Sequence, residues 1–114
     1  MAHLKAHPKS FAQAEKFLGD RSAVKLGNNT WLERLDADTI GVQLHSTYVV
    51  RFHRAGATTL HTGGYYTVTT KDRINEFISG RVYQQAHRWY YVGHDSTGRL
   101  DWDNPVPFIA GMEV

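Results

Sequence analysis

Residues 39–60 read TIGVQLHSTYVVRFHRAGATTL. The even positions hold Ile40, Val42, Leu44, Ser46, Tyr48, Val50 and Phe52. The odd positions hold Thr39, Gly41, Gln43, His45, Thr47, Val49, Arg51 and His53. Alternation with period two marks a strand with one buried face, because successive side chains leave a strand on opposite sides. The phase never slips, so the pattern predicts one long or bent strand from Thr39 to His53. Arg54-Ala55-Gly56 then fits a three-residue hairpin loop with glycine in the left-handed position. If His53 closes that loop against Ala57, Val50 faces Leu60, Leu44 faces Tyr66, and Val42 faces Val68. Gly63-Gly64 then falls opposite Thr47 and Ser46, where small residues let a long ribbon bend.

Working outward, Thr30–Leu35 reads as a further strand, joined through Asp36-Ala37-Asp38. Before it, residues 10–18 read as a short helix. Ser10 and Gln13 have capping-box spacing, Phe11, Ala14, Phe17 and Leu18 form one apolar stripe, and Gly19 is a stop. Asp20–Asn29 reads as a link with a turn at Gly27-Asn28-Asn29. After the hairpin, Thr69 as cap with Asp72 in the first turn opens a helix near 70–79. Its buried face is Ile74, Phe77 and Ile78, and Gly80 ends it. Arg81–Gln85 and Arg88–Val92 read as a closing hairpin, and the tail from His94 as an extended segment docked by Trp102, Phe108 or Ile109. The expected class is α+β and β-rich: a long bent antiparallel hairpin in a small sheet or an OB-like partly open barrel, with an N-terminal helix and a helix near 70–79. A single domain over 1–114 is expected, with a β-rich body over 29–93 and an extended acidic tail over 94–114.

Composition narrows the chemistry. The chain has 114 residues, 41% hydrophobic and 21% charged, which is globular rather than disordered usage. It has no cysteine, which removes disulfides, thiol nucleophiles and thiolate metal sites. The formal charge is +2, and it is unevenly spread. Lys5, Lys9, Lys16, Arg21 and Lys25 make the start basic, whereas Asp95, Asp101, Asp103 and Glu113 make the end acidic. No run at the N-terminus has the length of a signal peptide, and none approaches the ~20 apolar residues of a membrane span. The expectation is therefore a cytoplasmic protein without a membrane partner.

Several stretches carry a resemblance. They are Asn28-Asn29-Thr30 with Leu32, Val42 with Leu44-His45-Ser46-Thr47, Val49-Val50 with Phe52, and Thr59-Leu60. Thr62-Gly63-Gly64 and Thr67 with Thr69-Thr70-Lys71-Asp72-Arg73-Ile74-Asn75 complete the set. Together they resemble a family of small uncharacterised proteins common in bacteriophage and prophage genomes. The resemblance implies a phage setting and hence a bacterial host cytoplasm. Tyr48 stands where an acidic residue is usual in that family, and Tyr65 where Trp is usual.

Seven histidines invite a metal or general-base reading, with His45, His53 and His61 on the polar hairpin face. In the proposed register His45 and His61 stand ~13 Å apart along the strands, whereas zinc ligands converge at about 2.0–2.1 Å from one ion. No metal, cofactor or catalytic residue is therefore assigned. An RNase-like reading would pair His45 or His61 as base with Arg51, Lys71 or Arg73 at phosphate, but no carboxylate falls on that face. Binding is the stronger expectation. Gln43, His45, Arg51, His53, His61 and Tyr65, with Lys71 and Arg73 at the helix start, combine hydrogen-bonding groups, cations and a ring. That combination suits a single strand of nucleic acid, where rings stack on bases and cations meet phosphates. Tyr66, Tyr83, Trp89, Tyr90, Tyr91, Arg81 and Arg88 extend the supply. By parity Tyr65 is exposed and Tyr66 buried. The same face suits a bacterial host protein, and homo-oligomerisation through the ribbon edge or the closing hairpin is a further option.

Overall fold

The computed structural model describes residues 7–114. Residues 1–6 of the N-terminal stretch read above for a leader, Lys5 of the basic start among them, lie outside the described residues. The expected class holds: two open antiparallel sheets, an N-terminal helix and a second helix, with neither sheet closed into a barrel.

Helix α1 spans Phe11–Leu18. Ser10 caps it, its Oγ accepting from the Gln13 N–H at 3.1 Å. The Gln13 side chain reaches one residue further back than a capping box requires, accepting from the Lys9 N–H at 2.9 Å. The stretch read as a link contains strand β1 (Ala23–Gly27), which pairs with β2 (Thr30–Asp36). Its short, half-exposed alternation is weak as a sequence signal, and pairing to β2 is what makes it a strand.

The long strand is in fact two, β3 (Thr39–Leu44) and β4 (Thr47–His53), joined by a two-residue turn at His45-Ser46. His45 takes the left-handed conformation there, at φ 56°. The alternation survives the turn for a geometric reason. Leu44 pairs with Thr47 and Gln43 with Tyr48, and then a bulge at Val49 inserts one residue, so that Val42 faces Val50 and Ile40 faces Phe52. One extra residue restores even-to-even pairing. In sequence, a tight hairpin with such a bulge looks like an unbroken strand.

Beyond β4 the register is as expected at first. Gly56 has φ 112° and the His53 N–H donates to the Ala57 carbonyl. In β5 (Thr58–Leu60), Leu60 faces Val50. The His61 N–H still donates to the Val49 carbonyl, but the chain then leaves the sheet. Leu44 does not face Tyr66, nor Val42 Val68, because β2 and β4 already flank β3. Gly63 nonetheless lies against Thr47: a Cβ on it would stand 2.5 Å from the Thr47 Oγ1.

Helix α2 (Val68–Asn75) starts earlier than expected and is shorter. Thr67, not Thr69, is the cap, its Oγ1 accepting from the Thr70 N–H at 3.1 Å. Ile74, Phe77 and Ile78 are buried as expected. Asn75 closes the helix by behaving like a strand partner. Its side chain donates to the Val82 carbonyl and accepts from the Val82 N–H, both at 2.8 Å.

Strands β6 (Arg81–Gln85) and β7 (Arg88–Val92) form the closing hairpin at the expected residues. The tail is not simply extended. It adds β8 (Val106–Pro107) to β7, and β9 (Met112–Glu113) to β5. Phe108 is its buried anchor, whereas Trp102 and Ile109 are exposed.

Both helices pack on the even-numbered face of the six-stranded sheet β1-β2-β3-β4-β5-β9. The core joins Leu32, Ile40, Val42, Val50, Phe52 and Leu60 to Phe11, Leu18, Ile74, Phe77, Val82 and Trp89. Among the described residues the opposite face of that sheet carries no helix. Around α1, Arg54 bonds Asp38 at 3.0 Å, approaches Glu15 at 3.4 Å, and lies 4.6 Å from the Phe11 ring centre. Such exposed pairs are worth about 0–1 kcal/mol each. They orient the helix more than they stabilise it.

Candidate functional site

The residues expected to form one polar face occupy four places. Gln43, Arg51 and His53 remain on the open face of the six-stranded sheet. Gln43 sits between Trp31 and Tyr48 in the pairing register. The Tyr48 hydroxyl donates to the Glu33 carboxylate at 2.5 Å, and the Arg51 guanidinium lies 5.5 Å from the Tyr48 ring centre. A glycine at position 41 lets this ring lie flat, since a Cβ there would stand 2.8 Å from it. The His53 ring is within 3.2 Å of the Thr59 hydroxyl. Positive and negative groups alternate across this face, so its field is mixed.

The hydrogen bond to the Glu33 carboxylate holds the Tyr48 phenol above the ordinary range, and desolvation adds to the effect. The folded-state pKa is raised, so the stabilisation is fully present below the unfolded value of about 10 and is lost as pH rises through the folded value. The stability difference between the wild type and Tyr48→Phe should therefore shrink above pH ~10. Thermal unfolding at stepped alkaline pH measures it, and a difference that grows with pH would contradict the assignment.

The second place is the tip of the β3–β4 hairpin. His45 and Tyr65 line a cleft of about 410 Å³ with Leu44, Ser46, Thr47, Val49, Thr62, Thr67, Thr69 and Thr70. Third, His61 packs against Gly111, 3.4 Å from where a Cβ on that glycine would stand. The three histidines thus sit in separate surroundings. Fourth, Lys71 and Arg73 lie on α2. Arg73 is already engaged, donating to Glu76 at 2.8 Å, and Glu76 also meets His7 at 3.3 Å. One guanidinium nitrogen of Arg73 is thus spent on an ion pair, while its Nε is buried without a partner among the described residues.

The three-stranded sheet β6-β7-β8 holds the residues that the hairpin-face reading underweighted. The register puts Arg81 with Val92, Tyr83 with Tyr90, and Gln85 with Arg88 on one side. Val82 and Trp89 point the other way, into the core. Trp89 is thus a core residue rather than a surface ring. The Tyr83 and Tyr90 rings stack at 5.7 Å with 28° between planes, and Trp102 meets Tyr83 edge-on at 5.2 Å. Arg81 and Arg88 are exposed and form no ion pair among the described residues. The type of turn that aims this hairpin is visible at Ala86 and His87, with φ 52° and 66°. Tyr66 is exposed rather than buried, its ring edge-on to Trp89 at 5.0 Å. The parity rule failed there because residue 66 lies outside any strand.

The architecture defines a small β-rich α+β protein whose sheets present aromatic rings to solvent. The chain belongs to the Kyanoviridae Gp96 protein family, whose model matches residues 7–114, a family of uncharacterised phage proteins. No curated protein and no solved structure matches it. Among the described residues no helix is long and apolar enough to cross a membrane.

Proposed function

We propose that this phage protein binds single-stranded nucleic acid on the outer face of β6 and β7. The observation that carries this reading is the half-buried Tyr83–Tyr90 stack, bracketed by exposed Arg81 and Arg88 and flanked by exposed Trp102. Rings on a strand face offer stacking platforms worth about 1–3 kcal/mol per base, and every base has a face to stack. Gln85 adds a donor and an acceptor beside Arg88. Arg81 and Arg88 stand at the two ends of the stack, four strand residues or roughly 13 Å apart, so they meet phosphates about two nucleotides apart rather than successive ones. With two free guanidinium groups the electrostatic share is modest, a salt slope of about −1.4 for a single strand. Gln43, Arg51 and His53 offer a second, weaker surface, because Glu33 and Glu113 share their face.

Fluorescence anisotropy with labelled single-stranded DNA, single-stranded RNA and duplex tests the proposal. Single strands should bind at low salt and the duplex less tightly, since paired bases hide their faces. No binding of any single strand at ~50 mM salt, where phosphate contacts are strong, would contradict it.

A second reading is docking on a bacterial host protein. It is favoured by one separate observation, the exposed run Tyr65, Tyr66 and Val68, at 64%, 54% and 66% exposure. Capture of one host protein, lost on Tyr66→Ala, would support this reading over the first.

A further inference from the structure

We infer that the cleft at the β3–β4 tip is a binding site for a neutral, hydroxyl-bearing ring of monosaccharide size. Two chain segments build it: the β3–β4 turn, residues 44–49, and the stretch 62–70 that runs from the Thr62-Gly63-Gly64 turn into the start of α2. Its volume of about 410 Å³ lies within the range of small-molecule sites, roughly 300–1,000 Å³.

The lining selects the ligand. Among the described residues no Asp, Glu, Lys or Arg lines the cleft, so none of them there favours a phosphate or a carboxylate. Hydroxyls dominate instead. Two of them, Thr62 and Thr70, are almost fully buried, at 1% and 4% exposure. Each already accepts one bond. The Thr62 Oγ1 accepts from the Gly64 N–H at 3.1 Å, and the Thr70 Oγ1 accepts from the Thr67 hydroxyl at 3.1 Å. Each hydroxyl also carries a proton, so it can donate to a ligand oxygen as well as accept.

A hydroxyl both donates and accepts, so a wall of hydroxyls matches a ligand whose own groups do both. That is a polyol ring more than a nucleobase, whose donors and acceptors are fixed in place. Leu44 and Val49 give the apolar patch that the C–H face of such a ring needs. Tyr65, 64% exposed at the rim, supplies a ring to stack on the other face. The backbone geometry holds these groups in place. Gly63, at φ 63° and in contact with Thr47, fixes one turn, and His45, at φ 56°, fixes the other.

The test is a titration of isotope-labelled full-length protein with methyl glucoside, methyl galactoside and N-acetylglucosamine, followed by amide shifts, with cytidine and adenosine as counter-ligands. At least one sugar should bind in the millimolar range and shift Ser46, Thr47, Tyr65 and Thr69 together. Tyr65→Ala, at an exposed position that leaves the fold intact, should weaken it at least about fivefold, as loss of one stacked ring of ~1 kcal/mol implies. Thr62→Val should weaken it similarly, with circular dichroism checking its fold. If no sugar shifts these amides, if both variants bind as the wild type does, or if the nucleosides bind there instead, the inference fails. Tyr65→Ala should leave single-strand binding on β6–β7 unchanged, so the two sites fail or stand separately.

Discussion

Phe52→Ala is expected to destabilise the protein by about 3–5 kcal/mol. Phe52 is fully buried on β4, which is paired on both sides, to β3 and to β5. Both helices pack against that strand. Deleting the ring removes its transfer free energy and also leaves a cavity, because a doubly paired strand cannot shift inward to fill it. A domain of this size has a total stability on the order of 5–15 kcal/mol, so one side chain accounts for a large share. At roughly 3–6 °C per kcal/mol, the Tm should fall by about 10–25 °C. Phe108→Ala, at the edge of the core, should cost less, because its ring is partly solvated and the tail can close over the gap. Thermal and urea unfolding of both variants measure the ordering. A loss below about 1.5 kcal/mol for Phe52→Ala would mean that the sheet's centre relaxes more freely than a close-packed core does.

The second large effect concerns binding. Replacing Tyr83 and Tyr90 together by alanine should weaken single-strand binding by about 2–4 kcal/mol, or some 30- to 1000-fold. Each ring offers one stacking face, and their mutual stack holds both in a single orientation before any ligand arrives. Pre-ordered rings lose little entropy on binding. The folding cost should be far smaller, since a cross-strand pair is worth roughly 0.2–1 kcal/mol. That separation makes the double variant informative. Binding should collapse while the Tm moves by only a few degrees. Arg81→Glu with Arg88→Glu should act differently, weakening binding most at low salt and flattening its salt dependence. If the ring variant binds as tightly as the wild type, the β6–β7 face is not the platform.

Much of this fold can be read from the residues, and the failures have physical causes. The apolar parity from Ile40 to Phe52 locates the buried face of the sheet. The Arg54-Ala55-Gly56 loop sets the register to Leu60, because glycine with φ above zero has few alternatives. The closing hairpin is visible in two short runs rich in Tyr, Trp and Val, Arg81–Gln85 and Arg88–Val92. What parity cannot show is a turn that preserves it. The His45-Ser46 turn and the Val49 bulge cancel in phase, so one strand was expected where two exist. That single miss moved Tyr65, Tyr66 and Val68 onto an imagined ribbon. It also spread the expected site along a face that the fold breaks up.

The candidate site was less legible than the core. His45 and Tyr65 do come together, but at a cleft and not on a flat sheet. Lys71 and Arg73 looked like a phosphate cradle from their place at a helix start, yet Arg73 is committed to Glu76 through an i,i+3 pair that spacing alone permits but does not require. The cleft's Thr62 and Thr70 carry no sequence signal at all. Threonine is ordinary at turns and caps, and only the meeting of residues 62–70 with the β3–β4 turn makes these hydroxyls a lining. The basic start and the acidic end form no ion pair with each other among the described residues.

The most direct measurement is an amide-shift footprint of the isotope-labelled protein titrated with a short single-stranded oligonucleotide at low salt. The account predicts shifts concentrated on Arg81–Gln85 and Arg88–Val92, with the Trp102 indole among the largest. Shifts confined to Gln43, Arg51 and His53, or no shifts at all, would contradict it.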